Sequence, residues 1–452
     1  MLRRAVAVAD SFMADLRQRE FARLDAENVA YLDYGGAALY ADSQIGAHAA
    51  LLGRMVFGNP HSEHGSSLAT TAVIDRVRRR VLRFFDAGDD YTVCFTANAS
   101  AAIKLVAEAY PFGRGMPFVL AADNHNSVNG VREYARRAGA SVHYLPLGDD
   151  LRLDDPETRL ARVVDLAKGS RPLFAFPAQS NFSGVQHELS LVNTAQSLGC
   201  RVLLDAAAFV PSHPLSLRER PADFVAISFY KMFGYPTGVG ALITRREALE
   251  TLTRPWFAGG TVDYASVTLE RRQLRELHAG FEDGTPNFLD LAAIEEGFAF
   301  VERVGLPRIA SHSSELARAL EEELASLRHR SGAPLVRFYR GAGPRGATVT
   351  FNVLDRHGRS VPFNRVEQRG NAEGVHVRGG CFCNPGAAEA AFAFDASTMA
   401  EALDALGRGF SIPRLQQRMG PDVAVGAVRA STGLANNYRD VERCVRVIES
   451  FR

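Results

Sequence analysis

Between residues 66 and 245, short continuous apolar runs alternate with segments of helical periodicity, and this alternation limits the fold more than any other feature of the chain. Val73, Val77, Val81 and Phe84/Phe85 recur at helical spacing and lead into a β-like run over 92–96. Further strand candidates are 118–122, 142–145, 173–176, 202–205, 224–228 and 240–244. Such near-unbroken apolarity suits strands buried on both faces, and strands alternating with helices imply a mainly parallel sheet. Sheets of that kind hold ligands beyond the carboxyl ends of their strands.

After about residue 300 the pattern changes. Leu316, Leu320, Leu324 and Leu327 form one helical stripe, 347–353 alternates like a half-buried strand, and Val441, Cys444/Val445, Ile448 and Phe451 mark an amphipathic C-terminal helix. The expectation is an α/β protein with a large domain over 1–300 and a smaller α+β domain over 301–452. The N-terminal segment 1–30 is expected to pack on the small domain. The Gly-rich stretch 374–388 reads as a loop inside that domain. No internal repeat or long linker interrupts the chain.

Three features sit just after predicted strands, where a parallel sheet would gather them. Asp205 ends Arg-Val-Leu-Leu-Asp, and a carboxylate there can pair with a pyridinium nitrogen and keep it protonated. Lys231, in Ser228-Phe-Tyr-Lys-Met-Phe-Gly234, follows a buried strand and precedes a glycine-bearing turn, a suitable place for an imine-forming amine. Partial burial lowers a lysine's pKa and favours the nucleophilic form. Thr96-Ala-Asn-Ala-Ser100 joins a strand to a helix, and the backbone N–H groups of residues such as Ala99, with the Ser100 hydroxyl, form a phosphate cradle.

Taken singly, each feature has an ordinary reading: a helix-capping Asp, a solvated lysine, a plain turn. Their conjunction, in order, favours the chemical one. Composition adds weight, because only Lys104, Lys168 and Lys231 among 52 basic Lys and Arg residues are lysines. Lys104 falls within a helix and Lys168 in a polar turn.

Net charge of +1 offers no basic footprint for nucleic acid or an anionic membrane surface. No stretch approaches the length of an apolar spanning helix, and Met1-Leu-Arg-Arg lacks the apolar core of a signal peptide. Five cysteines are too few for a disulfide framework, so a reducing cytoplasmic setting is expected.

The chain resembles class V aminotransferase-family enzymes that use pyridoxal 5'-phosphate (PLP). Within them it is similar to the cysteine-desulfurase-like N-terminal domain of molybdenum-cofactor sulfurases. The resemblance rests on Tyr31-Leu-Asp-Tyr-Gly-Gly-Ala, Gly58-Asn-Pro-His-Ser, Asp123-Asn-His-Asn-Ser-Val and Phe176-Pro-Ala-Gln-Ser-Asn-Phe-Ser-Gly184. Leu204-Asp-Ala-Ala-Ala, the Lys231 segment, Glu282-Asp-Gly-Thr and Gly380-Cys-Phe-Cys-Asn-Pro-Gly386 extend it over almost the whole chain. It implies the fold type I architecture of PLP-dependent transferases. It also implies that His125 stacks on the cofactor ring, Asn181 lies near the ring hydroxyl, and Ser100 and Ser228 bind phosphate. Thr285 would reach the phosphate of a neighbouring subunit, which implies a homodimer, and Arg429 would clamp the substrate carboxylate.

Cys94, Cys200 and Cys444 lie in apolar periodic stretches and read as core thiols. Cys381 and Cys383 sit in a glycine-flanked loop. As a metal half-site the pair lacks a second His/Cys cluster, and as a redox pair one intervening residue strains the disulfide. The resemblance implies instead that Cys383 is a persulfide-forming nucleophile, attacking the sulfur of L-cysteine or an analogue and passing it to an unidentified acceptor, protein or small molecule. The runner-up is a C–S lyase, aminotransferase or epimerase acting on a specialised amino acid, with Cys383 a bystander. Ala208 and Tyr230 stand where stand-alone cysteine desulfurases carry glutamine and histidine, which fits the sulfurase-like group. Ala388 departs from a third loop cysteine common in that group. The chain's end near residue 452 leaves no room for a sulfurase C-terminal domain, so the molybdenum cofactor is not assumed as acceptor.

Overall fold

The computed structural model describes residues 11–165, 167, 171–420 and 422–452. Lys168 and the stretch beginning Met1-Leu-Arg-Arg lie outside them. Seven strands form the main sheet: β1 (Tyr91–Thr96), β2 (Phe118–Ala121), β3 (Val142–Leu145), β4 (Leu173–Pro177), β5 (Arg201–Asp205), β6 (Phe224–Ser228) and β7 (Gly240–Arg245). Their order is β1-β7-β6-β5-β4-β2-β3. Only β7 runs against the others, pairing antiparallel with both β1 and β6. The other pairs are parallel, as the apolar runs require.

Alternation within these strands divides the core into two layers. Val93, Val119, Phe174, Phe176, Val202, Leu204, Val225, Ile227 and Ile243 face one cluster. Cys94, Phe118, Leu120, Leu173, Leu203, Phe224 and Leu242 face the other. With both faces covered, the strand interiors are mostly apolar on both sides, which is why the runs are near-continuous rather than alternating.

A second sheet of four antiparallel strands holds β8 (Val336–Phe338), β9 (Thr348–Val353), β10 (Arg378–Gly380) and β11 (Ala427–Ser431), in the order β8-β9-β11-β10. Its core takes Leu316, Leu320 and Leu324 of the helix Leu306–Ser326 and Val441, Cys444 and Ile448 of the helix Tyr438–Glu449. The preceding helix Phe288–Val304 packs instead on the main-sheet core through Leu291, Ile294, Phe298 and Val301. The described part of the N-terminal segment touches both regions. Met13, Leu16, Phe21 and Leu24 join the main core, while Ala30 and Leu32 join the second. Arg17, almost fully buried, ties this segment to the C-terminal helix by donating to Asp440 Oδ2 at 2.7 Å.

The stretch 374–388 is more ordered than its glycines imply. It contains the short strand Val375–His376, paired in parallel with Ala30–Tyr31, then β10 and the helix Pro385–Ala391. A hairpin of Val262–Ser266 and Arg271–Leu274 also goes beyond the strands read from periodicity, because its residues are mostly exposed and polar. Among the described residues no helix is long and apolar enough to cross a membrane.

Gly297 fixes the helix Phe288–Val304 against the Lys231 segment: a methyl there would sit 2.3 Å from the Phe233 ring. Phe233 is fully buried against Phe229 and Phe298 and has no room to yield. Gly297→Ala is therefore expected to lower stability by about 1–3 kcal/mol despite the better helix propensity of alanine, measured as a shift in the urea midpoint.

Candidate active site

The carboxyl ends of β1, β2, β4, β5 and β6 converge on one cavity lined by Asn98, Ala99, Ser100, Asp123, His125, Gln179, Asn181, Asp205, Ser228, Tyr230 and Lys231, among others. After β1, Asn98 caps the helix Ala99–Ala109, its Oδ1 accepting from Ala101 N at 3.0 Å. Gly240, at the start of β7, lets this turn close: a methyl there would lie 2.5 Å from Asn98 Cα. The Ser228 hydroxyl, buried at the end of β6, accepts from Ala99 N at 2.9 Å and joins the two strand ends. Ser100 and Ser127 bring their hydroxyls within 2.5 Å of each other at the same helix N-terminus.

Lys231 lies on the short helix Phe229–Phe233. Burial pushes its pKa below the ordinary lysine value, Asp205 opposes that shift, and Arg429 and Arg378 reinforce it. The resulting amine is easier to deprotonate than a solvated lysine. His125 caps the helix Asn126–Asn129, with Nδ1 accepting from Ser127 N at 3.1 Å. That contact leaves Nε2 as the protonated nitrogen of the neutral ring, and burial lowers the pKa so that the neutral form is favoured, against the pull of Asp205. Asp205, nearly buried at the end of β5, accepts from Ala207 N at 3.1 Å.

Arg429 comes from the centre of the second sheet and is 1% exposed. Nη1 donates to Asn181 O and Oδ1, both at 2.9 Å, and Nη2 pairs with Asp33 Oδ1 at 2.8 Å. Asn181 in turn donates from Nδ2 to Phe382 O at 2.7 Å. The cysteine loop is fastened at two further points: Asn126 N donates to Cys383 O and Asn384 Nδ2 donates to Asp123 O, both at 2.7 Å. Gly386 closes the approach, since a methyl there would lie 2.1 Å from Ala122 O. Phe382 and Cys383 both adopt left-handed backbone, with φ of 53° and 56°. For non-glycine residues that conformation stores roughly 1–3 kcal/mol each and needs such anchoring to persist.

The two loop thiols are not equivalent. Cys383 is exposed and lies close enough to Lys231 and Tyr230 to influence their ionisation. Cys381 turns inward, its Sγ 3.5 Å from Val425 O, and burial with nearby Glu389 pushes its thiol up to about 11. Burial likewise pushes Cys200 and Cys444 up to about 12 and raises Cys94. Among the described residues no cluster of three His, Cys, Asp or Glu side chains could hold a metal ion.

The cavity thus brings together Ala99, Ser100, His125, Asn181, Asp205, Ser228 and Lys231, with Arg429 and the Cys383 loop joined to it through Asn181. Thr285 is the exception. It is exposed, with Asn59 Nδ2 at 3.3 Å, and does not line this cavity within its own chain. Sequence reasoning missed Asp33, Phe382, Asn384 and a buried pair in which His187 Nε2 meets Asp123 Oδ2 at 2.7 Å. Asp33 and Asp123 lie inside matched motifs, which was the available signal; His187 carried none.

The aminotransferase class-V family model matches residues 30–444, and the chain belongs to that family. Among individual relatives it is 37% identical to the molybdenum cofactor sulfurase of Bos taurus, over 97% of this chain and 52% of the relative. It is 36% identical to the molybdenum cofactor sulfurase of Drosophila mojavensis, over 96% of this chain and 59% of the relative. The chain therefore spans little more than half the length of these relatives. Of solved structures, the apo cysteine desulfurase from Thermococcus onnurineus NA1 superposes with a TM-score of 0.76 at 26% identity, covering 97% of each chain.

Members of the family use PLP, and the donor set here suits that group. A capped helix N-terminus with two hydroxyls matches a phosphate, Asp205 a pyridinium, and Lys231 an aldehyde.

Iodoacetamide at pH 8 is expected to alkylate Cys383 at least about tenfold faster than Cys381, whose thiolate fraction there is on the order of one in a thousand. Cys381 labelling should climb roughly tenfold per pH unit until near pH 11. Peptide mass spectrometry would read both rates, and equal rates at pH 8 would contradict the assignment.

Proposed function

We propose that this protein is a PLP-dependent, cysteine-desulfurase-like enzyme that takes sulfur from L-cysteine or a close analogue as a persulfide on Cys383. The observation that carries this reading is the exposed Cys383, on a loop fastened by Asn126, by Asn181 through Phe382 and by Asn384 to Asp123, and close enough to Lys231 to influence its ionisation. The acceptor is a protein or small molecule reaching that exposed thiol.

Bound PLP would supply an electron sink for the substrate's α-carbon, with Lys231 as its covalent anchor. Asp205 would hold the pyridine nitrogen in its protonated form, and the neutral His125 ring would pack on the cofactor. Asn98–Ser100, Ser127 and Ser228 surround the phosphate position. Arg429, hydrogen-bonded to Asn181 and Asp33, would bind the substrate carboxylate, and Asn181 would also reach the ring hydroxyl. Lys231, with its lowered pKa, would move the α-proton. Cys383 would then attack the substrate sulfur. The new S–S bond forms as the substrate Cβ–S bond breaks, the electron pair stays with the substrate carbon, and protonation gives alanine. The balance is one enzyme thiol plus L-cysteine to one enzyme persulfide plus L-alanine.

Three wider features belong to the proposal. The division into a large unit over 1–300 and a small unit over 301–452 is supported by a change of core along the helix Leu306–Ser326, whose Ile309 joins the main core and whose Leu316, Leu320 and Leu324 join the second. A reducing cytoplasmic setting is supported by five unpaired cysteines. A homodimer is supported by the exposed Thr285, which lies outside its own cavity, and by exposed Tyr264, Val267 and Leu269 on the hairpin. In a dimer Thr285 would serve the partner's phosphate site.

With L-cysteine, the purified holoenzyme should yield alanine and a mass increase of one sulfur on the Cys383 peptide. Lys231→Ala should lose both, and Cys383→Ala should lose persulfide and most turnover. Full alanine production by Cys383→Ala would remove the persulfide step, whereas pyruvate and ammonia as products would replace this reading with a C–S lyase. Separately, Val267→Glu combined with Leu269→Glu should shift a sedimenting dimer towards monomer.

A further inference from the structure

Arg429 is buried with its charge shared among few partners. Asn181 and Asp33 engage its two terminal nitrogens, while Nε has no hydrogen-bond partner. These contacts lie along the guanidinium's edge and leave its faces to packing. Gly35 comes so close that a methyl would lie 2.9 Å from Arg429 Cζ. An aromatic neighbour lies close as well: the Phe382 ring centroid is 4.8 Å from Arg429 Cζ.

Phe382 belongs to the cysteine loop, directly between Cys381 and Cys383. It is 6% exposed and packs on Phe182, with ring centroids 5.5 Å apart. Its carbonyl accepts from Asn181 Nδ2, and Asn181 Oδ1 accepts from Arg429. One loop residue therefore reaches the same arginine twice, through its ring and through Asn181. Backbone alone would not need an aromatic side chain here, and packing alone would not need the guanidinium beneath it.

We propose that Phe382 is a positioning residue for Arg429, so that the grip on the substrate carboxylate is complete only while the Cys383 loop is docked. This rests on the assignment of Arg429 as the carboxylate clamp. Phe382 touches no reacting atom. It holds the guanidinium plane by a cation–π contact in a site largely shielded from water, where such contacts are strongest. Loop and amino acid are then linked: a docked loop strengthens carboxylate binding, and a loop that lifts to present its sulfur releases the product amino acid.

The test uses the holoenzyme and its Phe382→Leu, Phe382→Tyr and Arg429→Lys variants, each checked for an unchanged melting profile. Calorimetry gives the dissociation constant of L-alanine, the product of the proposed reaction, whose binding needs no turnover, and kinetics compare L-cysteine with cysteamine, which lacks the carboxylate. Phe382→Leu keeps bulk and loses the π face, so it should weaken L-alanine binding about fivefold and raise KM for L-cysteine with kcat within about twofold. Phe382→Tyr should stay within about twofold of wild type, and cysteamine should be indifferent to both. Unchanged L-alanine affinity in Phe382→Leu, or an equal loss with cysteamine, would overturn the positioning role. Unchanged affinity in Arg429→Lys would instead remove the clamp assignment beneath it.

Discussion

Arg378 and Arg429 stand opposite each other on neighbouring strands of the second sheet, and the Asp33 carboxylate reaches both. Like charges in such a cross-strand pair repel, and a guanidinium as buried as Arg429 loses its hydration as well. Asp33 offsets both costs. It arrives from a segment almost 400 residues away in sequence and sits beside Ser431 through a bridge to β11. Through this carboxylate, the N-terminal segment, the middle of the second sheet and the Asn181 turn after β4 become one assembly. The cavity on the main sheet and the cysteine loop on the second share a wall because of it.

Much of the fold was legible because burial on both faces leaves a continuous apolar signature. The strands at 142–145 and 224–228 match the structure end to end, and the others differ by one residue at an end. The same logic placed Asp205, Lys231 and the Thr96–Ser100 turn at strand ends, and the parallel sheet brings them together. Lys104 behaves as its helical context predicts, pairing with Glu108 on the exposed face of its helix.

What escaped had no periodic signal. The hairpin at residues 262–274 alternates no apolar face towards the core, so pattern reading passes over it. Gly379, Gly380 and Gly386 made 374–388 look like loop, yet Gly379 and Gly386 admit neighbours that a side chain would exclude, and Gly380 takes a φ of 114°. The link between Phe382 and Arg429 is a contact across 47 positions in sequence, and no local rule pairs a loop phenylalanine with a strand arginine. His187 was hidden for a similar reason. Its partner Asp123 follows β2 and it follows β4, and only the parallel pairing of those strands makes them neighbours.

The strand that carries Arg429 has one further property. β11 lies between β9 and β10, yet it follows both of them in the chain. Until it inserts, β9 and β10 each present an open edge, and edges of that kind are where chains pair with the wrong neighbour. Asp33 precedes Arg429 by almost 400 residues, so the carboxylate is made long before that arginine. Insertion of β11 therefore seals the sheet and brings Arg429 to the Asp33 carboxylate in the same event.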